Sequence, residues 1–210
     1  MTERLTRTSL SKAAQHLAAR DPDLARSLAT HGVPPMWARR PGFETVVHIV
    51  LEQQVSLASA AAALRRLEAG VVPFTPGRFV ALGESHLRAL GITRQKAAYC
   101  LNIARAIHEK RIDLDALTRL DDASVRSDLT AIKGVGPWTA DIYLLMALRR
   151  PDIWPSGDLA LATAARAVKL LRARPAPAEL ARIAESWRPF RAVAARILWQ
   201  HYLAGAAGRS

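Results

Sequence analysis

The sequence predicts an all-α protein, and three observations support this fold class. Ala, Leu and Arg dominate the composition, and these residues favour helices. Apolar residues recur every three or four positions along nearly every segment, which is the spacing of a buried helical face. The alternation of polar and apolar residues that marks a strand is almost absent. We therefore expect about ten helices joined by short connections.

Helix-breaking residues divide the first half of the chain. The first helix is predicted over about residues 9–31, and it ends at Gly32 and the Pro34–Pro35 pair. Further helices are predicted over about residues 43–53, 57–69, 78–82, 84–90 and 94–109, with Gly70 and a proline-rich loop at 71–77 after the second of these.

The second half of the chain follows the same pattern. Asp121 is predicted to cap a helix over about residues 121–131, because a carboxylate at the N-cap accepts from free backbone N–H groups. The remaining helices are predicted over about residues 137–149, 158–173, 177–187 and 189–204. A chain of 210 residues is one domain or two small packed domains.

Charge and cysteine content restrict the function. Lys and Arg number 30 against 18 Asp and Glu, a net charge of +12, which favours a nucleic-acid partner over an anionic membrane surface, although a biased composition alone also makes proteins basic. The single cysteine, Cys100, excludes a disulfide scaffold and cysteine-ligated zinc or iron–sulfur sites. The six histidines show no metal-ligand spacing. No apolar run is long enough to span a bilayer and no secretory signal is evident, so we expect a cytoplasmic protein without a membrane partner.

The segment LTAIKGVGPWTADIYLLMAL, residues 129–148, is the most informative part of the chain. Its two glycines, Gly134 and Gly136, allow a tight turn, and Pro137 suits the first position of the next helix. Backbone N–H groups at such a helix start can bind a phosphate oxygen. The alternative is a helical hairpin whose glycines only end a helix. The register of Val135 between the glycines favours a phosphate-binding helix–hairpin–helix.

Four segments together resemble the helix–hairpin–helix (HhH-GPD) DNA glycosylases, most closely the DNA-3-methyladenine glycosylase II branch. They are VVHIVLEQQVSLASA at 46–60, KGVGPWTADIYLL at 133–145, DIWPSGDLAL at 152–161 and WRPFRAVAARILWQHY at 187–202. The resemblance covers roughly residues 35–205 and implies the compact form, without the N-terminal β-domain of longer members. It implies two helical lobes with an active-site cleft between them. We expect one lobe over about residues 35–120, and a second over about 121–205 joined by the N-terminal helix at 1–34.

Asp158 is the predicted catalytic carboxylate. It precedes a clear helix, so it lies at the N-cap or first turn, where the helix dipole favours a negative charge. Most aspartates before a helix are only caps, but the resemblance places the catalytic aspartate at this position. Such an anion would stabilise the positive charge that develops on deoxyribose when the base leaves.

The resemblance also implies the type of reaction and the base pocket. Bifunctional members carry a Schiff-base lysine where this chain has Trp138, so a monofunctional enzyme is implied. Aromatic faces would attract cationic alkylated purines. The pocket candidates are Trp138 and Phe190, followed by Tyr143, Trp187, Trp37 and Met36. Where some relatives have a pocket tyrosine this chain has Ile142, which makes the base preference uncertain.

Further contacts to DNA are predicted. The resemblance places the wedge that replaces a flipped base at Gln54, with Gln53 as second choice, although a polar helix break is the simpler alternative. Hairpin contacts are assigned to Lys133, Gly134, Val135, Gly136, Pro137 and Thr139, and phosphate contacts to Arg94, Lys96, Arg188 and Arg191. No cofactor or catalytic metal is implied, but hairpin carbonyls of the family hold a structural monovalent cation, Na⁺ or K⁺.

The expected function is therefore release of alkylated purines from double-stranded DNA in base excision repair, by a monomer that would be associated with the nucleoid in a bacterium. Two alternatives remain at this point. A non-catalytic helix–hairpin–helix module would need neither Asp158 nor an aromatic pocket. A glycosylase for oxidised or mismatched bases would share the fold but not the substrate.

Overall fold

The regular structure of the protein is helical, as predicted, in a computed structural model that describes residues 4–207. The helices are α1 (Arg7–Arg20), α2 (Pro22–His31), α3 (Phe43–Glu52), α4 (Leu57–Gly70), α5 (Pro76–Ala89), α6 (Arg94–His108), α7 (Asp122–Thr130), α8 (Pro137–Ile142), α9 (Leu159–Val168), α10 (Pro177–Ala184) and α11 (Arg191–Ala207). Short 3₁₀ turns occur at Ala116–Arg119 and Glu185–Trp187, and one widened π turn over Tyr143–Ala147 continues α8.

The chain divides into two compact units. The first is Arg39–Leu148 and the second combines residues 4–38 with residues 149–207. The predicted pairing of the N-terminal segment with the C-terminal part agrees with this division. The predicted boundary near residue 120 differs from it, because α7 and α8 belong with the first unit. The Arg126 guanidinium of α7 donates to Asp141 of α8, and α8 packs on α3, which ties the hairpin to that unit.

The first unit is built around α3. Its side chains Val47, Ile49 and Val50 are fully buried, and the helix packs against α4, α6 and α8. Burying an aliphatic side chain stabilises a fold by about 1.5–3 kcal/mol, so this apolar helix is a main source of stability. The turn that follows α3 and the hairpin before α8 are therefore both anchored on the same buried helix.

The second unit packs α11 against α1, α2 and α9. A buried polar cluster lies in this unit. The Asp21 carboxylate accepts from Lys169 Nζ at 2.8 and 2.9 Å and from Trp187 Nε1 at 2.7 Å. Burial alone would raise the pKa of Asp21, but these hydrogen bonds outweigh that effect and lower it below its ordinary value. The cluster joins the start of α2 to the end of α9.

One predicted helix differs in detail. The single helix predicted over residues 9–31 is broken at Asp21, because Pro22 cannot continue α1 and Asp21 instead caps α2. The two short helices predicted at 78–82 and 84–90 are confirmed, because Gly83, with φ of +73° and ψ of 179°, is not helical and divides α5 into two helices. The predicted N-cap at Asp121 is present, with its carboxylate accepting from Ala123 and Ser124.

Two features are absent from residues 4–207. No helix in this part of the chain has the length and apolar character needed to cross a bilayer. The same residues contain no cluster of three His, Cys, Asp or Glu side chains arranged to bind a metal ion.

Candidate active site

The turn between α7 and α8 is a tight hairpin that requires a glycine. Gly134 has φ of +105°, and a Cβ at this position would lie 2.3 Å from Cγ of Tyr99. Val135 is buried, and its N–H donates to the carbonyl of Ile132 at 2.9 Å. The buried side chain of Val135 and the ring of Tyr99 therefore both pack against the backbone of the turn.

The start of α8 faces open space. Gly136 is the N-cap and has no side chain to cap the helix, and Pro137 takes the first helical position. A Cβ at Gly136 would meet no atom within 4 Å, and Lys133 is exposed just before it. Backbone N–H groups at the positive end of a helix dipole suit a phosphate oxygen. This arrangement is the one that the sequence predicts for DNA backbone contact.

Two side-chain amides hold the hairpin carbonyls, and the sequence did not single out one of them. Asn102 of α6 donates to the carbonyl of Lys133 at 3.1 Å, and Gln53 donates to the carbonyl of Gly134 at 3.1 Å. Gln53 also donates to Thr139 Oγ1 at 2.9 Å. Each of these carbonyl oxygens keeps a second lone pair, so the two hydrogen bonds do not exclude a monovalent cation at the turn. The cation stays a prediction.

The turn between α3 and α4 presents Gln54 to solvent. Gln54 is exposed and has φ of +56°, and the apolar side chains of Val55 and Leu57 are exposed beside it. Gln54 is thus accessible for insertion between bases. Gln53, the second choice for this role, is not, because its side chain is turned onto the hairpin.

Asp158 is the N-cap of α9. Its Oδ1 accepts from the Leu161 N–H at 2.8 Å and from Trp199 Nε1 at 3.4 Å. The preceding Gly157, with φ of +83°, lets the chain turn into the helix. Trp199 is buried, and its indole N–H helps to orient the carboxylate. No local signal in the sequence indicates this role.

A cavity of about 250 Å³ opens beside this carboxylate within the second unit. Gly157, Asp158 and Leu159 line one side, and Arg174 and Leu180 line another. Asp158 is only partly buried, and the Leu159 side chain is 67% exposed. The carboxylate is therefore accessible from solvent and is not sealed in the core.

The candidate pocket aromatics differ in exposure. Trp138, Phe190, Trp37 and Met36 are all partly exposed, but none of them lines the cavity beside Asp158, so the aromatic pocket stays a prediction. Tyr143 and Trp187 are fully buried, so their assignment to the pocket is corrected to the core. The Tyr143 hydroxyl accepts from the Gly42 N–H at 3.1 Å, and Trp187 donates to the Asp21 cluster. Burial raises the pKa of Tyr143 to about 12.

A buried arginine holds the Met36–Trp37 segment, and the sequence did not predict this contact. Arg196 of α11 is completely buried, and its Nε donates to the Met36 carbonyl at 3.0 Å. Burial lowers the pKa of Arg196 to about 10. Trp37, with φ of +46°, follows directly.

Two of the four predicted phosphate contacts, Arg94 and Arg188, have exposed side chains. Arg94, at the start of α6, is 84% exposed, with Nε 3.9 Å from Glu84. Lys96 donates to the Leu51 carbonyl, and burial lowers its pKa. Its assignment to phosphate is therefore corrected to a cap on the end of α3.

Arg191 is also corrected, whereas Arg188 stays a prediction. Both bind Asp152 and Glu185, at distances between 2.6 and 2.9 Å, but the Arg191 side chain is only 14% exposed and the Arg188 side chain is 51% exposed. These ion pairs fix the segment before α11. Burial and pairing leave the Arg191 guanidinium little attraction for phosphate.

Comparison with known proteins identifies the fold. Residues 47–189 match the family described as HhH-GPD superfamily base excision DNA repair protein. DNA-3-methyladenine glycosylase 1 of Schizosaccharomyces pombe is 28% identical over 201 residues, covering 92% of this chain and 88% of that protein. A putative DNA-3-methyladenine glycosylase of Bacillus subtilis is 30% identical over 125 residues, but the match covers only 60% of this chain and 44% of that protein.

Solved structures agree with this match. The 3-methyladenine DNA glycosylase of Schizosaccharomyces pombe, determined in complex with abasic DNA, superimposes with a TM-score of 0.84 at 26% identity. The superposition covers 90% of this chain and 95% of that one. The chain therefore belongs to the HhH-GPD superfamily of base excision DNA repair proteins.

Proposed function

We propose that the protein is a monofunctional DNA glycosylase that hydrolyses the N-glycosidic bond of alkylated purines in duplex DNA. The observation that carries the proposal is the placement of Asp158. Its carboxylate caps α9, is oriented by Leu161 and Trp199, and borders an open cavity. An oriented anion at a helix start is the group that a cationic sugar requires.

The reaction breaks the bond between C1′ of deoxyribose and the ring nitrogen of the base. The electron pair leaves with the base, and positive charge develops on C1′ and the ring oxygen. The Asp158 carboxylate stabilises this charge. Water then adds to C1′, and the carboxylate orients it and accepts its proton, which leaves an abasic site. An alkylated purine carries positive charge, so it departs without a strong general acid.

The residue after the hairpin supports a monofunctional reaction. A lyase step needs an amine that attacks C1′ and forms a Schiff base. Trp138 occupies the position of that amine in bifunctional members, and its indole cannot form an imine. The product is therefore an intact strand with an abasic site.

The substrate class follows from chemistry and from the relatives. Trp138 and Phe190 are partly exposed aromatic rings, and aromatic faces attract cationic bases. The relatives from Schizosaccharomyces pombe and Bacillus subtilis are named as 3-methyladenine glycosylases. We infer N-alkylated purines, with 3-methyladenine as the first substrate to test.

The decisive variant is Asp158→Asn, which keeps the shape and the cap but removes the charge. Loss of one such electrostatic group costs roughly 100- to 1,000-fold in rate. Single-turnover release of 3-methyladenine should fall by that factor, while the Kd for duplex DNA stays equal or decreases. Unchanged release would contradict the assignment of Asp158. Binding without release by the wild-type protein, on any lesion, would support a non-catalytic module instead.

A lesion panel tests the substrate class. Duplexes containing 3-methyladenine, 7-methylguanine, ethenoadenine, 1-methyladenine or 8-oxoguanine are compared under single-turnover conditions. Release confined to 8-oxoguanine would overturn the alkylpurine proposal. Borohydride should trap no covalent adduct, and a trapped adduct would overturn the monofunctional reaction.

A further inference from the structure

We propose that Gln53 is a positioning residue that couples the exposed turn carrying Gln54 to the helix–hairpin–helix. The two elements would then act on DNA as one rigid body, with Gln54 entering the base stack while the hairpin holds the backbone. This inference rests on the proposed function, and it assigns a role to a side chain that the reaction itself does not use.

The link consists of two hydrogen bonds from one amide. Gln53 Nε2 donates to the Gly134 carbonyl at 3.1 Å and to Thr139 Oγ1 at 2.9 Å. The carbonyl can only accept, so the amide must present its NH₂ group to the hairpin. Thr139 is almost completely buried. The two acceptors lie on either side of Gly136, so the link spans the segment assigned to phosphate binding.

The turn is anchored immediately before the exposed residue. Lys96 caps the end of α3 at the Leu51 carbonyl, and Arg39 makes two hydrogen bonds to Glu52, at 2.6 and 2.9 Å. Gln54 lies two residues after Glu52 in the chain. Its left-handed backbone is strained for a non-glycine residue, so this conformation persists only where neighbouring contacts maintain it.

The hairpin offers a matched comparison. Asn102 donates to the Lys133 carbonyl, one residue before the acceptor of Gln53, with the same chemistry and the same distance of 3.1 Å. Asn102 lies on α6 and is not part of the turn that carries Gln54. Removing either amide frees one hairpin carbonyl, but only removal of Gln53 disconnects the turn that carries Gln54.

The functional consequence concerns the gap in the base stack. Flipping a base costs unstacking free energy and leaves a hole in the base stack. A wedge that is held at a fixed distance from the gripped phosphate would fill this hole and offset the cost. A missing base removes part of that cost before the protein binds. A coupled wedge therefore predicts tighter binding at a gap than at an intact stack.

Binding is the first test, and it needs no catalysis. Kd is measured for an intact duplex and for one with a tetrahydrofuran abasic analogue, with Gln53→Met and Asn102→Leu compared with wild type. We expect wild type to prefer the abasic duplex by at least about tenfold, Gln53→Met to lose most of that preference, and Asn102→Leu to keep it while binding both duplexes more weakly. No preference in wild type, or equal loss in both variants, would overturn the proposal.

A second variant guards against misfolding. Thr139→Val removes one of the two acceptors while preserving shape, and it should lose part of the preference. Thermal unfolding of all variants is measured in parallel. If Gln53→Met does not fold, an abasic preference in Thr139→Val equal to that of wild type would by itself refute the coupling.

Excision provides an independent readout. Single-turnover release of 3-methyladenine is compared for a lesion opposite thymine and for a lesion opposite an abasic site, where no partner base pairs with the lesion. Gln53→Met should lose about tenfold or more on the first substrate and threefold or less on the second. Equal losses would indicate a merely structural role. Absence of release by wild type would refute the proposed function, while the binding result would still decide the coupling.

Discussion

Substitution of Gly134 by alanine should destabilise the hairpin severely. The residue has φ of +105°, which costs a non-glycine residue about 1–3 kcal/mol. The new Cβ would also lie 2.3–2.6 Å from three atoms of Tyr99, and overpacking of this kind costs about 1–3 kcal/mol. Together these effects predict a loss near 4 kcal/mol, which lowers Tm by about 10 °C for a protein of this size.

Gly136→Ala is the matched control in the same turn. Its φ of −88° is allowed for any residue, and a Cβ meets no atom within 4 Å. Stability should change by no more than about 1 kcal/mol. The methyl group would instead occupy the space through which a phosphate approaches the start of α8, so Kd for duplex DNA should rise about tenfold, equivalent to about 1.4 kcal/mol.

The two measurements are differential scanning calorimetry and fluorescence anisotropy with a labelled duplex. Either of two results would contradict these expectations. A Gly134→Ala protein with wild-type Tm would contradict the steric argument, and a Gly136→Ala protein with wild-type DNA affinity would contradict phosphate binding at the hairpin.

The other predictions concern the second unit. Asp21→Asn should cost about 1–3 kcal/mol in urea unfolding, because it weakens the hydrogen bonds to Lys169 and Trp187. The pKa of Asp21 is lowered in the folded protein, so its contribution to the free energy of unfolding is present above the unfolded pKa near 3.8 and is lost as pH falls below that value. The stability of the variant should therefore depend less on pH in this range. An identical pH dependence would argue against this cluster. Arg191→Met should also destabilise the fold, because Arg191 is paired with Asp152, yet it should leave the salt slope of DNA binding unchanged, whereas loss of a phosphate contact would reduce that slope by about one.

The sequence predicted the local features of the site well. The hairpin follows from glycines and a proline whose effect on the backbone is confined to neighbouring residues. The N-cap position of Asp158 follows from the helix that begins after it. Exposure of Gln54 follows in part from the polar break between two apolar helices.

The errors share a physical cause. Tyr143 and Trp187 are aromatic, as pocket residues are, but they are buried in the core. Arg191 carries the positive charge of a phosphate contact, but it is paired with Asp152. Amphipathic spacing shows which side chains lie on the same face of a helix, but it does not show whether that face packs in the core or lines a cleft. The apolar spacing also continues from α1 into α2, although Pro22 ends the first helix, so the spacing alone predicts one helix where the structure has two.

The amino-acid order alone determined the helical class, the glycine-dependent turn and the aspartate at a helix start, because each depends on interactions within a few residues. Packing decided which charges and rings remain available. Arg191 finds Asp152 at 39 positions' separation, Gln53 reaches Gly134 across 81 and Trp187 reaches Asp21 across 166. Such partners are brought together only when the apolar faces are buried, so a side chain's own segment does not reveal whether it will meet solvent, DNA or another part of the chain.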